Sequence, residues 1–145
     1  SHFAPAMLEQ ALQIYRGTFQ PSEYLDKPHF MLAAGVCVAD TDEEADFLRS
    51  SQKLAFARLR SGNPGKLPKP SRDIDAQIPA EMKAQIEHAM SCSAVGSPET
   101  VEAQLRQLID THNPDEIIVT GMIHDHQARL HSFKNAATIL QGLCE

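Results

Sequence analysis

The chain predicts an α/β fold built on a parallel sheet. Three observations carry this expectation. The run His29-Phe-Met-Leu-Ala-Ala-Gly-Val-Cys-Val38 is apolar on both faces and carries no acidic or basic side chain apart from His29, as a strand covered on both sides requires. Amphipathic helical stretches separate it from a second short strand, Glu116-Ile-Ile-Val-Thr120. A crossover through helices pairs strands in parallel. The unit Ser97-Pro-Glu-Thr-Val…Leu108-Ile109, then Pro114-Asp-Glu-Ile-Ile-Val-Thr-Gly-Met-Ile-His-Asp-His126, reads as capped helix, turn, strand and polar turn. Units of that kind build α/β barrels and doubly wound sheets, where chemistry sits past the C-terminal ends of the strands.

The elements follow in order. Leu8, Leu12, Tyr15 and Phe19 form one stripe of a helix from about Pro5 to Phe19, with Pro5 suited to its first turn. The strand from His29 to Val38 follows. Thr41 with Glu44 makes a capping box, and Asp42 and Glu43 suit a helix N-terminus. That helix is expected from about Asp42 to Arg60, burying Phe47, Leu48, Leu54, Ala55 and Leu59. Residues 61–78 are rich in Gly, Pro, Lys, Asp and Ser and read as a long loop, the candidate mobile element of the fold.

Pro79 opens a further helix with Met82, Ile86, Ala89 and Met90 on one face, its methionines read as core filler. Ser91 to Gly96 reads as a small-residue connector. Ser97 caps the next helix, with Pro98 in its first turn and Val101, Leu105, Leu108 and Ile109 as its stripe. After the strand Glu116–Thr120, the last helix runs from Asp125 or His126 to about Gln141. Leu130, Phe133, Ala137 and Leu140 are its expected core. Two strands cannot cover this many helices, so the pattern asks for further strands from elsewhere.

Composition narrows the function. The chain has 145 residues, 42% hydrophobic and 22% charged, which suits one globular domain. Its net charge of −6 argues against a nucleic-acid binder. Lys66, Lys69 and Arg72 are a loose basic group diluted by prolines and read as a solvated loop. Cys37, Cys92 and Cys144 show no CxxC or zinc spacing, which fits a reducing cytoplasm. Cys92 lacks a base placed to activate it. No run of about 18 apolar residues suggests a membrane span, and no signal peptide is recognisable. The opening Ser1-His2-Phe3 reads as the start of a piece cut from a longer protein. No dinucleotide fingerprint, P-loop or nucleophile elbow occurs.

Taken together, the segments Ser1-His-Phe-Ala-Pro5, Ala11-Leu-Gln-Ile-Tyr-Arg16, Phe19-Gln-Pro-Ser22, Val38-Ala-Asp-Thr-Asp-Glu-Glu-Ala45, Ser93-Ala-Val-Gly-Ser-Pro-Glu-Thr-Val101 and Ile123-His-Asp-His-Gln-Ala-Arg-Leu130 resemble the C-terminal part of bacterial-luciferase-like flavin-dependent monooxygenases. Each motif is weak alone; their order makes the resemblance specific. It implies the C-terminal segment of a (β/α)8 TIM barrel, incomplete on its own. His29–Val38 would be strand seven, Glu116–Gly121 strand eight, and residues 61–78 an excursion of the seventh unit. It also implies reduced FMN, or the deazaflavin F420 in some branches, with O2 and a small organic substrate. A flavin reductase would supply the reduced cofactor. Much of the family's flavin-phosphate site lies on the part not present here.

The candidate site residues are His124 and His126, with His2 behind them. On a strand, His124-Asp125-His126 would place both rings on one face, as a metal site needs. At a strand-to-helix turn, Asp125 is better read as a helix cap, with the imidazoles facing flavin or substrate. His126 and His131 stand about 140° apart on a helix. His2 would end barrel strand six and face the flavin, or else be a frayed terminus. Ser97 beside Gly96 is either a helix cap or an anion site; the cap reading is preferred. A second functional class stays open: a non-catalytic interaction module that associates with itself through open sheet edges.

Overall fold

The computed structural model describes residues 5–143, so His2 and Cys144 lie outside the described residues. A 3-10 turn, Pro5–Met7, leads into α1 (Leu8–Thr18). Then come β1 (Met31–Val38), α2 (Asp42–Arg60), α3 (Ile74–Gln77), α4 (Ala80–Ala89), β2 (Ser93–Gly96), α5 (Pro98–His112), β3 (Glu116–Thr120) and α6 (His126–Leu143).

The sheet is parallel, with strand order β2-β1-β3. Its central strand is β1, and its two neighbours are staggered along it. Met31–Gly35 pair with Glu116–Thr120, whereas Gly35–Val38 pair with Ser93–Gly96.

Alternation along β1 sorts the core. Val36 and Val38 pack with Ala94 and with Val101, Leu105 and Ala136 of α5 and α6. Below them Leu32 and Ala34 meet Cys92, with Leu8, Phe30, Leu108 and Ile117 around them. On the opposite face Cys37 packs with Ala45, Leu48 and Ile123 under α2. A separate cluster of Leu54, Ala57, Ile78, Ile86 and Met90 joins α2 to α4.

The expected caps are formed. Thr41 Oγ1 accepts from the Glu44 amide at 3.2 Å, and Ser97 Oγ accepts from Thr100 at 3.3 Å. The α5 helix ends at Asn113 in the left-handed region, and Arg16 donates to the carbonyls of His112 and Asn113 at 2.8 and 2.7 Å.

Two sequence expectations about elements are corrected, and Leu59, expected on the buried face of α2, is 58% exposed. Ser93–Gly96 is a strand, not a connector. Four small residues carry little strand signal of their own; pairing with the C-terminal half of β1 supplies it. The Gln104 side chain completes the strand by accepting from the Val95 amide at 2.7 Å and donating to its carbonyl at 3.3 Å. A side-chain amide thus stands where a further strand would pair.

The second correction concerns part of the inner face of α6: Phe133 and Leu140 pack against the core as expected, whereas Ala137 is exposed. Leu130 is 50% exposed, and the residues turned fully inward are Ser132 and Ala136. Ser132 is buried because its Oγ accepts from the Val38 amide at 2.9 Å. Beyond the end of β3, that hydroxyl takes the place of a strand partner.

Residues 61–78 include the single turn α3. Ile78, 4% exposed, anchors the far end in the α2–α4 cluster.

Candidate functional site

All three strands point the same way, so the turns after Val38, Gly96 and Thr120 gather at one end of the sheet. Parallel α/β proteins bind ligands at that end.

The turn after β3 is set by close approach. A Cβ on Gly121 would lie 3.1 Å from the Val36 carbonyl oxygen and 3.3 Å from the Phe133 ring. Asp125 accepts from the Ala128 amide at 2.8 Å and caps α6. His126 is exposed, and its Nδ1 lies 3.0 Å from the Arg129 guanidinium. Arginine only donates, so this contact requires an unprotonated Nδ1 and leaves the proton on Nε2. His124 is exposed and makes no hydrogen bond or ion pair to the described residues.

His131 points elsewhere. Its Nε2 lies 3.1 Å from Asp40 Oδ1, on the turn after β1. The pair edges a cleft of about 420 Å³ floored by Val38, Ala39 and Leu48. The structure therefore separates His131 from His124 and His126, and joins it to a carboxylate that sequence spacing did not single out. Among the described residues no group of three His, Cys, Asp or Glu side chains is placed to hold a metal ion.

The turn after β2 shows what occupies the α5 N-terminus. Asp42 Oδ1 accepts from the Ser97 amide at 2.7 Å, and Oδ2 from the Thr100 hydroxyl at 3.1 Å. The Ser97 amide, followed by the Thr100 hydroxyl, holds the Asp42 carboxyl below the usual carboxylate range. Gly96 makes room for this contact at φ +148°. An anion already sits at this helix N-terminus, and it is the chain's own.

Arg49 is a further residue the sequence did not disclose. It is 4% exposed, and its guanidinium reaches Gln52 and Ser93 at 2.8 Å each, above Gly35. Burial lowers its pKa from the ordinary arginine value. The one advance signal was a basic residue on a helix between apolar positions. Cys37 is a buried free thiol, and Cys92 is buried with its Sγ donating to the Ala33 carbonyl at 3.4 Å. Burial pushes the Cys37 thiol up to about 11, where it is protonated and unreactive at neutral pH.

The flavin expected from the resemblance can be tested against these donors. Its phosphate needs free amides at a helix N-terminus or a cluster of cations. At the strand ends, α2 is capped by Thr41, α5 by Ser97 with Asp42, and α6 by Asp125. These capping groups take up part of the amide set a phosphate would use, and at α5 the Asp42 carboxylate adds a like charge, so the helix ends fit the phosphate end of the cofactor poorly. What the described residues offer is a wall carrying two exposed imidazoles.

Fold and site together define an α/β protein of the parallel-sheet class, with its polar candidates at the strand ends. Among known proteins, the chain is 41% identical over 143 residues to the luciferase-like monooxygenase of Escherichia coli (strain K12), covering 99% of this chain and 43% of that protein. The uncharacterized protein YvbT of Bacillus subtilis (strain 168) is 36% identical over 139 residues, covering 96% of this chain and 41% of that protein. The crystal structure of apo-MsnO8 superimposes with a TM-score of 0.82 at 29% identity, over 97% of this chain and 43% of that one. No family model matches. The resemblance to luciferase-like monooxygenases thus holds across the whole chain, and the chain spans less than half the length of the curated relatives it matches.

Proposed function

We propose that this chain is the C-terminal portion of a flavin-dependent luciferase-like monooxygenase and forms one wall of its site. The observation that carries this reading is the likeness to luciferase-like monooxygenases along the whole chain. The parallel pairing of β1 with β3 supports it, since strands seven and eight of a (β/α)8 barrel are neighbours of that kind. In the full-length enzyme, reduced FMN or F420, delivered by a reductase, would supply the electrons for oxidising a small organic substrate with O2. The work of this portion is to orient and to exclude water. His124 and His126 are its polar groups at the mouth of the site, and His126 presents a donor at Nε2. His2 remains a third candidate, outside the described residues. The enzyme would work in the cytoplasm, in keeping with the free Cys37 thiol.

Two experiments bear on this. In the full-length protein, His124→Ala is expected to lower turnover; normal flavin affinity together with normal turnover would remove His124 from the site. Titrating the 145-residue chain with FMN and reduced FMN, followed by fluorescence, is expected to show no tight binding. Tight binding by a monomer would contradict the assignment of the phosphate site to another part of the protein.

A second reading has its own observation. Ile118, 47% exposed, and Met31, 44% exposed, lie on the face of β1 and β3 that α5 and α6 leave open. An open apolar sheet favours association of copies. Size-exclusion chromatography that returned a monomer at all concentrations would remove the expected homo-oligomer.

A further inference from the structure

Arg49 is a buried charge without a counter-ion. The residue is only 4% exposed, and its guanidinium donates to Gln52 Oε1 and Ser93 Oγ at 2.8 Å each. Both acceptors are neutral, and Ser93 Oγ in turn donates to the Met90 carbonyl. Among the described residues no carboxylate pairs with Arg49. By contrast Lys53, Arg72 and Arg106 each have one. A guanidinium carries more N–H donors than these two bonds use, and it does not escape burial by losing its proton. A charge taken out of water is costly until an opposite charge meets it. The position therefore calls for an anion.

The fold holds this group in the wall of a cavity. Arg49 lines a polar cleft of about 310 Å³ with Lys53, Ser91 and Ser93, where α2 meets the end of α4 and the start of β2. Gly35 lets the guanidinium lie against the sheet: a Cβ there would come 3.4 Å from Nη1 and 3.2 Å from Ser93 Cβ. Two carboxylates also line the cleft. Glu87 is taken by Lys53 at 2.7 Å. Asp46 is exposed and has no ion pair with the described residues.

We propose that this cleft binds a small organic carboxylate of single charge, gripped by the Arg49 guanidinium, and that Asp46 turns away ligands of higher negative charge. The planar fork of an arginine matches a carboxylate through parallel N–H bonds. Burial strengthens that pairing, because little water competes for it. A second charge on the ligand, as on inorganic phosphate at pH 8, would share the cleft with Asp46 and be repelled. The site requires neither flavin nor oxygen, so it stands or falls apart from the oxidoreductase reading.

Nuclear magnetic resonance with butyrate as the probe tests this, in the 145-residue chain and in the full-length protein. The signals followed are the Arg49 Nε–H and the backbone amides of Gly35 and Ser93. All three are expected to shift along one saturable curve with butyrate, and not with n-butanol, which has the chain without the charge. Arg49→Gln should weaken butyrate binding by about tenfold or more. Asp46→Asn changes an exposed residue and is expected to fold; it should tighten butyrate binding by about threefold and bring inorganic phosphate into the cleft. A purely structural Arg49, fastening α2 to β2, would give none of these responses. Signals that butyrate leaves in place, or that n-butanol moves equally, would overturn the proposal. Unchanged affinity in Asp46→Asn would overturn the role of Asp46, and it decides the case if Arg49→Gln does not fold. Saturation in the 145-residue chain but not in the full-length protein would also overturn the site, because the carboxylate would then be a side chain of the longer protein.

Discussion

Replacing Gly96 with alanine is the sharpest perturbation of the strand ends. Gly96 sits at φ +148°, a backbone region that L side chains rarely adopt. Strain of that kind costs about 1–3 kcal/mol. The new Cβ would also lie 2.5 Å from Asp42 Oδ1 and 2.7 and 2.8 Å from Cγ2 and Cβ of Thr100. Thr100 Cβ is fixed to the α5 backbone and cannot swing aside, so either the strand shifts or Asp42 leaves. If Asp42 leaves, the Ser97 amide and the Thr100 hydroxyl lose their acceptor at once. The expected loss is therefore at the upper end of the range, about 3 kcal/mol. Urea unfolding of wild type and Gly96→Ala, followed by circular dichroism, measures it as a shift in midpoint. A double-mutant cycle with Asp42→Ala separates the terms: backbone strain persists in that background, and the carboxylate clash does not. A loss under about 0.5 kcal/mol would refute the reasoning, since neither the conformation nor the close approach would then hold in solution.

Ser51 Oγ is buried with no hydrogen-bond partner among the described residues; Ser51→Ala should raise stability by about 1 kcal/mol, and a lower urea midpoint would contradict this. Gln104→Ala exposes the outer edge of β2 and should cost about 1–2 kcal/mol, with a rise in light scattering at high concentration if the freed edge pairs. Asp42 is held below the usual carboxylate range by the Ser97 amide, and Asp115 by the Phe30 amide, which donates to it at 2.7 Å. A carboxylate whose folded pKa is depressed contributes stability above its unfolded pKa and loses it as pH falls through the folded value. Stability should therefore drop below about pH 4, and less steeply in Asp42→Asn and Asp115→Asn. Cys37, with its pKa pushed up to about 11, should resist iodoacetamide at pH 8 until the chain unfolds; rapid labelling of Cys37 itself in the native chain, located by peptide mass spectrometry, would contradict its burial.

Local chemistry was legible and distant partnership was not. The Thr41–Glu44 and Ser97–Pro98 caps could be read because each is completed within four residues. The central strand could be read because one face is buried throughout and both are buried from Ala34 to Val38, which leaves no place for charge. By contrast, β2 exists through β1 and Gln104, and its four small residues have no pattern to detect. On α6, Phe133 and Leu140 pack against the core as their spacing indicated, but Leu130 was expected inward because it outweighs Ser132 in any hydrophobic pattern. Ser132 faces inward to take the Val38 amide, a partner 94 positions away. The site shows the same division. Asp125 as a cap follows from its neighbours, but Asp40 with His131 and Asp42 with Ser97 are meetings that only the fold arranges.

The occupied helix ends bear on what the chain can do alone. A parallel sheet presents helix N-termini near its strand ends, and those termini commonly receive a ligand's phosphate. Here the positions are filled from within: Thr41 on α2, Ser97 with Asp42 on α5, and Asp125 on α6. For a phosphate to displace Asp42, the chain would have to bury or expel a carboxylate already held by two donors. Under the proposed flavin reading, phosphate recognition falls to residues outside this chain, which contributes shape and polar groups. The prediction that the isolated chain does not hold FMN follows from that arrangement. Asp42→Ala turns it into a direct test, because it empties the α5 N-terminus without touching the strands. If the variant gains affinity for inorganic phosphate, self-occupancy is what closes the site. If it gains none, the terminus lacks the geometry for an anion, and Asp42 serves only to fasten α2 to α5.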